Sequence, residues 1–62
     1  MQTDLLDISE VCRLFGDVNA STIYRWIKAE RLPKPVRIGP GTSRWFRHEC
    51  EAALAAMVEV RR

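Results

Sequence analysis

Four residues, Gly16-Asp17-Val18-Asn19, stop one helix and start another, and the rest of the chain has to pack around that junction. Upstream, Asp7 followed three residues later by Glu10 fits the D-x-x-E form of a capping box. Leu6 with Val11 fits a hydrophobic staple. The spacing predicts a first helix over about residues 8–15, with Val11, Leu14 and Phe15 on one face and Gly16 as the left-handed residue that ends it. Downstream, Asn19 is a favoured N-cap whose side-chain oxygen can accept from the backbone N–H of Ser21 or Thr22. Val18 and Ile23 make a second staple. A second helix is expected over about residues 20–31. Ile23 and Ile27, four apart, share an apolar face, while Ser21, Arg25 and Lys28 share a polar one with Thr22 beside them. Two short helices on so tight a turn read as a helix-turn-helix, a pattern that many plain helical hairpins share.

Leu32-Pro33-Lys34-Pro35 closes the second helix, because proline cannot continue it and biases the preceding residue toward an extended form. Val36-Arg37-Ile38 then alternates as a half-buried strand does. Gly39-Pro40-Gly41-Thr42-Ser43 is a turn, and Arg44-Trp45-Phe46 returns as the partner strand. A β-hairpin is therefore expected over about 36–38 and 44–46, with Trp45 inward and both Arg37 and Arg44 on its exposed side. A third helix is expected over about 48–60. Cys50, Ala53, Leu54 and Met57 give it a core face. Glu49 and Glu51 suit its positive end, and Arg61 and Arg62 its negative end. Ala52, Ala55, Ala56 and Val60 fall on other faces, either as good helix formers or as a contact with a second copy. The fold expected is mainly α with a small β-hairpin: a single winged helix-turn-helix domain over residues 1–62. With 62 residues, such a domain buries only about 60% of its unfolded surface, so its core is small.

The net charge of +2 conceals an uneven distribution. Residues 1–24 carry Arg13 against Asp4, Asp7, Glu10 and Asp17, a balance of −3. Residues 25–47 carry Arg25, Lys28, Arg31, Lys34, Arg37, Arg44 and Arg47 against Glu30, a balance of +6. Residues 48–62 carry Arg61 and Arg62 against Glu49, Glu51 and Glu59, a balance of −1. A contiguous basic segment between acidic ones points to one cationic face, the electrostatic footprint of a nucleic-acid binder. The bland alternative is a scatter of solvated charges.

Other function classes find little support. No run approaches the ~18 apolar residues of a membrane helix. The chain opens Met-Gln-Thr-Asp, without the basic start and apolar core of a signal peptide, so a cytoplasmic location is expected. Cys12 and Cys50 sit at apolar positions of helical patterns and read as reduced core residues. With His48 they make three donors where zinc takes about four, so neither a metal nor another cofactor is expected. His48 reads as a helix-start residue. No nucleophile–base pair, acid–base set or phosphate-cradling glycine loop is visible, and an enzyme is not expected.

Three stretches together carry a family resemblance: Leu5-Leu6-Asp7-Ile8-Ser9-Glu10-Val11, Ser21-Thr22-Ile23-Tyr24-Arg25-Trp26-Ile27-Lys28, and Leu32-Pro33-Lys34-Pro35-Val36-Arg37-Ile38-Gly39. With the aromatic strand and last helix from Trp45 to Leu54, the chain resembles the AlpA-type small regulators of prophages over about residues 5–57. Those are relatives of phage excisionases and, more distantly, of MerR-type winged-helix domains. The chain departs from the family at Asn19-Ala20, where a Ser and a polar residue are common, and at Phe46-Arg47-His48, where an Arg followed by an acid is common.

The resemblance implies that the second helix enters the major groove and that the hairpin acts as a wing. It places Ser21, Thr22, Arg25 and Lys28 against DNA, with Arg25 suited to the O6 and N7 of a guanine. Lys28 and Arg31 would meet phosphates, Tyr24 would reach one with its hydroxyl, and Trp26 would pack partly against the wing. Lys34, Arg37 and Arg44 complete the expected contact set. The function expected is sequence-specific binding of double-stranded DNA in a phage or mobile element, as a transcription regulator or as an excisionase. An integrase, or further copies on adjacent sites, are the expected companions. The competing expectation is a protein-interaction module that binds an integrase or other partner through the third helix.

Overall fold

The computed structural model describes residues 4–60, the last two, Glu59 and Val60, by backbone alone. In chain order it contains β1 (Leu5–Leu6), α1 (Ile8–Leu14), α2 (Ala20–Lys28), β2 (Val36–Gly39), β3 (Thr42–Phe46) and α3 (Arg47–Val60). The helix-end role expected of Arg61 and Arg62 lies outside the described residues.

Asp7 starts α1 as its sequence foretells. Its Oδ1 accepts from the Glu10 N–H at 2.9 Å, and Glu10 Oε1 accepts from the Asp7 N–H at 2.9 Å, the reciprocal capping box. The helix ends in a Schellman turn. Gly16 donates to the Arg13 carbonyl at 3.1 Å and Asp17 to the Cys12 carbonyl at 2.9 Å. Gly16 has φ +93° and Asp17 φ +63°, both left-handed.

Asn19 has the extended backbone of an N-cap, but its side chain accepts no backbone N–H. The Thr22 hydroxyl lies 3.4 Å from Asn19 Oδ1 as donor, while the Thr22 and Ile23 N–H groups turn to the Asn19 carbonyl at 3.0 and 3.3 Å. The expected cap is thus replaced by a side-chain pair, because a hydroxyl three residues on competes for the same oxygen.

The second helix is three residues shorter than expected. Ala29 is its C-cap, and Glu30 takes a left-handed φ of +62° without being glycine. Glu30 donates to the Ile27 carbonyl at 3.0 Å and Arg31 to the Trp26 carbonyl at 2.9 Å, a second Schellman turn. The cause lies downstream. Pro33 disfavours a helical Leu32, and Leu32, 4% exposed, belongs to the core. The chain must turn back before it.

The strands form a three-stranded antiparallel sheet of order β1-β3-β2 rather than a hairpin alone. Leu5 pairs with Phe46 and Leu6 with Trp45. A two-residue strand carries no periodicity to read, so β1 is invisible in the sequence. In the other pairing Val36 faces Arg44, Arg37 faces Ser43, and Gly39 faces Thr42, which leaves Ile38 as an extra, unpaired residue. This β-bulge interrupts the alternation expected for β2, and Ile38 is 55% exposed rather than inward.

Leu6, Val11, Phe15, Ile23, Leu32, Trp45 and Cys50 form the core, drawn from every helix and from the sheet. Ala53, Leu54 and Met57 pack on it from α3, the face expected of them. Trp26 meets Phe15, the C-cap of α1, edge-on, centroids 5.8 Å apart; the ring beside Trp45 of the sheet is instead Tyr24. The fully buried Trp45 leaves its Nε1 without a hydrogen-bond partner among the described residues. α3 begins one residue early because Arg47 is anchored. Its N–H donates to the Asp4 carbonyl at 2.9 Å, and its guanidinium pairs with the Asp4 carboxylate and, at 4.0 Å, with Glu51.

Both cysteines are free, Cys50 buried and Cys12 half-buried. Burial pushes the Cys50 thiol pKa up; neighbouring Glu49 and Glu51 push the same way and Arg47 opposes them. Among the described residues no helix is long and apolar enough to cross a membrane.

Candidate nucleic-acid interface

The exposed side of α2 follows directly from helical spacing. Ile23 is fully buried and Ile27 packs against the core, which turns Ser21, Arg25 and Lys28 outward on the opposite side. All three are exposed. Tyr24 borders this row at 50% exposure, its ring tilted at 57° to Trp45 with centroids 6.3 Å apart. It therefore joins the α2 face to the sheet. Between them lies an open cleft of about 200 Å³ lined by Tyr24, Ser43, Arg44, Trp45 and the hairpin-tip Gly41, and by Asp7 and Ile8 from the start of α1. Gly41 has φ +69°, a left-handed conformation that favours glycine in this tight turn.

The other expected contact residues separate into those brought to this face and those taken elsewhere. Thr22 is half-buried and its hydroxyl is engaged with Asn19, so it stands at the edge of the row. Arg31 is exposed but leaves the row, because α2 has already ended. It lines a separate cleft of about 270 Å³ with Glu30 and the α3 residues Ala53, Ala56 and Met57. Lys34 is exposed in the link between α2 and β2.

Arg37 and Arg44 correct the expectation of a single basic side to the hairpin. Residues paired across an antiparallel ladder share a face, and neighbours along a strand alternate. Arg37 pairs with Ser43 and so lies on the face of Ser43 and Trp45, whereas Arg44 lies on the face of Val36 and Phe46. The two arginines project from opposite faces of one ribbon. Arg37 is exposed; Arg44 is half-buried, held by an Nη1 bond to the Ser43 carbonyl at 2.8 Å.

Electrostatically the basic segment divides as well. Among the described residues both ion pairs belong to Arg47, which faces Asp4 and Glu51 and so leaves the cationic set. Arg25, Lys28, Arg31, Lys34, Arg37 and Arg44 form no ion pair with any described residue. Two features of this surface were not foreseen: the exposed Ile38 and the opposed arginines. Both follow from strand register, which residue types do not encode. Among the described residues no three His, Cys, Asp or Glu side chains gather as metal ligands do. Comparison with protein-family models, with curated sequences and with solved structures returned no match.

Proposed function

We propose that this protein is a winged helix-turn-helix domain that binds double-stranded DNA sequence-specifically, with α2 as the major-groove helix and the β2–β3 hairpin as the wing. The observation that carries the reading is the exposed Ser21–Arg25–Lys28 row on a helix whose Tyr24 meets Trp45 of the arginine-bearing hairpin, with none of those bases paired to a described acid. An α-helix fits the major groove, and its small hydroxyls near the start and basic groups further on suit base edges and phosphates. Arg25 reads a guanine edge; Lys28 contacts a phosphate; Ser21 and Tyr24 supply hydroxyl contacts.

The biological role is regulation of a nearby promoter or direction of a recombinase during excision, inside a bacterial or phage-infected cell. One operator beside a promoter marks the regulator. Several closely spaced sites, filled cooperatively and with an integrase nearby, mark the excision factor.

The test is selection from a random duplex pool near physiological salt, followed by Arg25→Ala on the recovered motif. The substitution is expected to cost about 1–3 kcal/mol and to relax preference at one base position. Binding that vanishes near physiological salt and enriches no motif would overturn the reading. The runner-up is a protein-interaction module built on α3. It draws support from Ala52, Ala55 and Ala56, which are exposed, and from Val58 at 57% exposure. That module would tolerate Arg25→Ala with no change in partner binding.

A further inference from the structure

We infer that Ile38 is an apolar wedge that enters a DNA base step from the minor groove and bends the duplex. This rests on the DNA-binding reading and adds a contact that electrostatics does not supply. A single exposed apolar residue is ordinary on a protein surface; what sets Ile38 apart is its position.

It is the extra residue of a β-bulge, and bulges re-aim side chains. Its strand, β2, is an edge of the sheet, so no further strand covers it. It is 55% exposed although β-branched and apolar. The next residue in the chain on one side is Arg37, and Arg44 projects from the opposite face of the same ribbon. Gly39 follows it, an exposed Pro40 comes next, and the tip is Gly41.

A minor groove is only about 6 Å wide between two phosphate walls. A ribbon entering it edge-on has one backbone on each side, which is what arginines on opposite faces are placed to meet. Ile38, on the edge strand and nearer the hairpin tip than either arginine, then meets the stacked bases. Proteins that bend DNA from the minor groove insert side chains of this kind, isoleucine among them, between two base pairs. Pyrimidine–purine steps unstack most readily, so such a step is expected beneath the hairpin in the bound site.

The experiment uses the full chain and the duplex recovered from the random pool. Bend angle is read by circular-permutation mobility and by end-to-end fluorescence transfer, and affinity is followed across a salt series. Wild type is expected to bend its site by tens of degrees, within the roughly 20–90° range of side-chain wedges. Ile38→Ser should lose most of that bend while keeping the same salt slope, since no charge is removed. Ile38→Leu should restore the bend, and melting curves on both variants show that the fold is intact. If wild type binds without bending, or if Ile38→Ser bends equally, the wedge is overturned and the DNA-binding reading stands. If wild type retains no duplex at all, the DNA-binding reading falls first and takes the wedge with it.

Discussion

Replacing Glu30 by glycine should make this protein more stable. Glu30 occupies the left-handed position that ends α2, with φ +62°. An L-residue there costs about 1–2 kcal/mol relative to the right-handed region. Glycine removes that cost and gives back about 0.4–1 kcal/mol through the greater freedom of the unfolded chain. The net gain is about 0.5–1 kcal/mol. In a domain of this size it raises the melting temperature by about 2–8 °C. No ion pair with a described residue is lost. Glu30→Val should lower the melting temperature instead, because a β-branched side chain is an outlier at positive φ. Asp17→Gly should gain less than Glu30→Gly, since aspartate tolerates its φ of +63° better than glutamate does. Thermal and urea melts of wild type, these three variants and Glu30→Ala by circular dichroism decide the matter. If glycine at position 30 destabilises while alanine there stabilises, the helix runs on in right-handed form to Arg31. In that case glycine costs about 1 kcal/mol relative to alanine, and the placement of Arg31 beside α3 falls with the turn.

Two further outcomes follow from the packing. Changing Arg37 and Arg44 together to alanine should lower the salt slope of DNA binding by about two, and each alone by about one, if each meets a phosphate as proposed; a salt titration of the three variants checks this, and an unchanged slope would remove the hairpin from the interface. Cys50 sets an alkaline limit: its pKa in the folded protein lies above the ordinary 9.0, chiefly through burial, so the unfolded chain ionises first. The stability this contributes is whole below about pH 9 and is lost as pH rises toward the folded value. Cys50→Ala should cost about 1 kcal/mol at neutral pH yet show a shallower decline above pH 9 in urea midpoints.

What was legible in the sequence is what short-range chemistry decides. Asp7 and Glu10 are three apart and cap α1, Gly16 ends it, and Ile23 and Ile27 turn the basic row of α2 outward. Trp45 goes inward because an indole between two basic, turn-flanked segments has nowhere else to bury. The misreadings share one origin. The end of α2 at Lys28 has no glycine to announce it and is imposed by a leucine that must reach the core. β1 is paired where Asp4 meets Arg47 and the buried Leu6 lies alongside Trp45 of β3. The opposed arginines depend on a pairing in which Ile38 has no partner. Each is a tertiary decision taken against a weak local signal, and two of them fall on the candidate DNA surface.

The same decisions fix how strongly salt should act on the whole interface. Seven bases in one segment suggest seven phosphate contacts and a slope near −6, at about 0.9 for each contact. The fold removes members from that set. Arg47 is turned to Asp4 and Glu51, and Arg31 to the cleft with α3. Lys34 lies in the link before β2, off the α2 row. Arg25 is assigned to a base edge, so Lys28, Arg37 and Arg44 remain, and the slope expected is about −2.7. Between 50 and 200 mM salt that is a fall in affinity of roughly 40-fold, against roughly 6,000-fold for seven contacts. Binding of the recovered motif measured across that range separates the two. A slope near −6 would mean that Arg25 meets a phosphate rather than a base and that Arg31, Lys34 and Arg47 all swing onto the duplex, and the Arg47 guanidinium would then have to leave the Asp4 carboxylate.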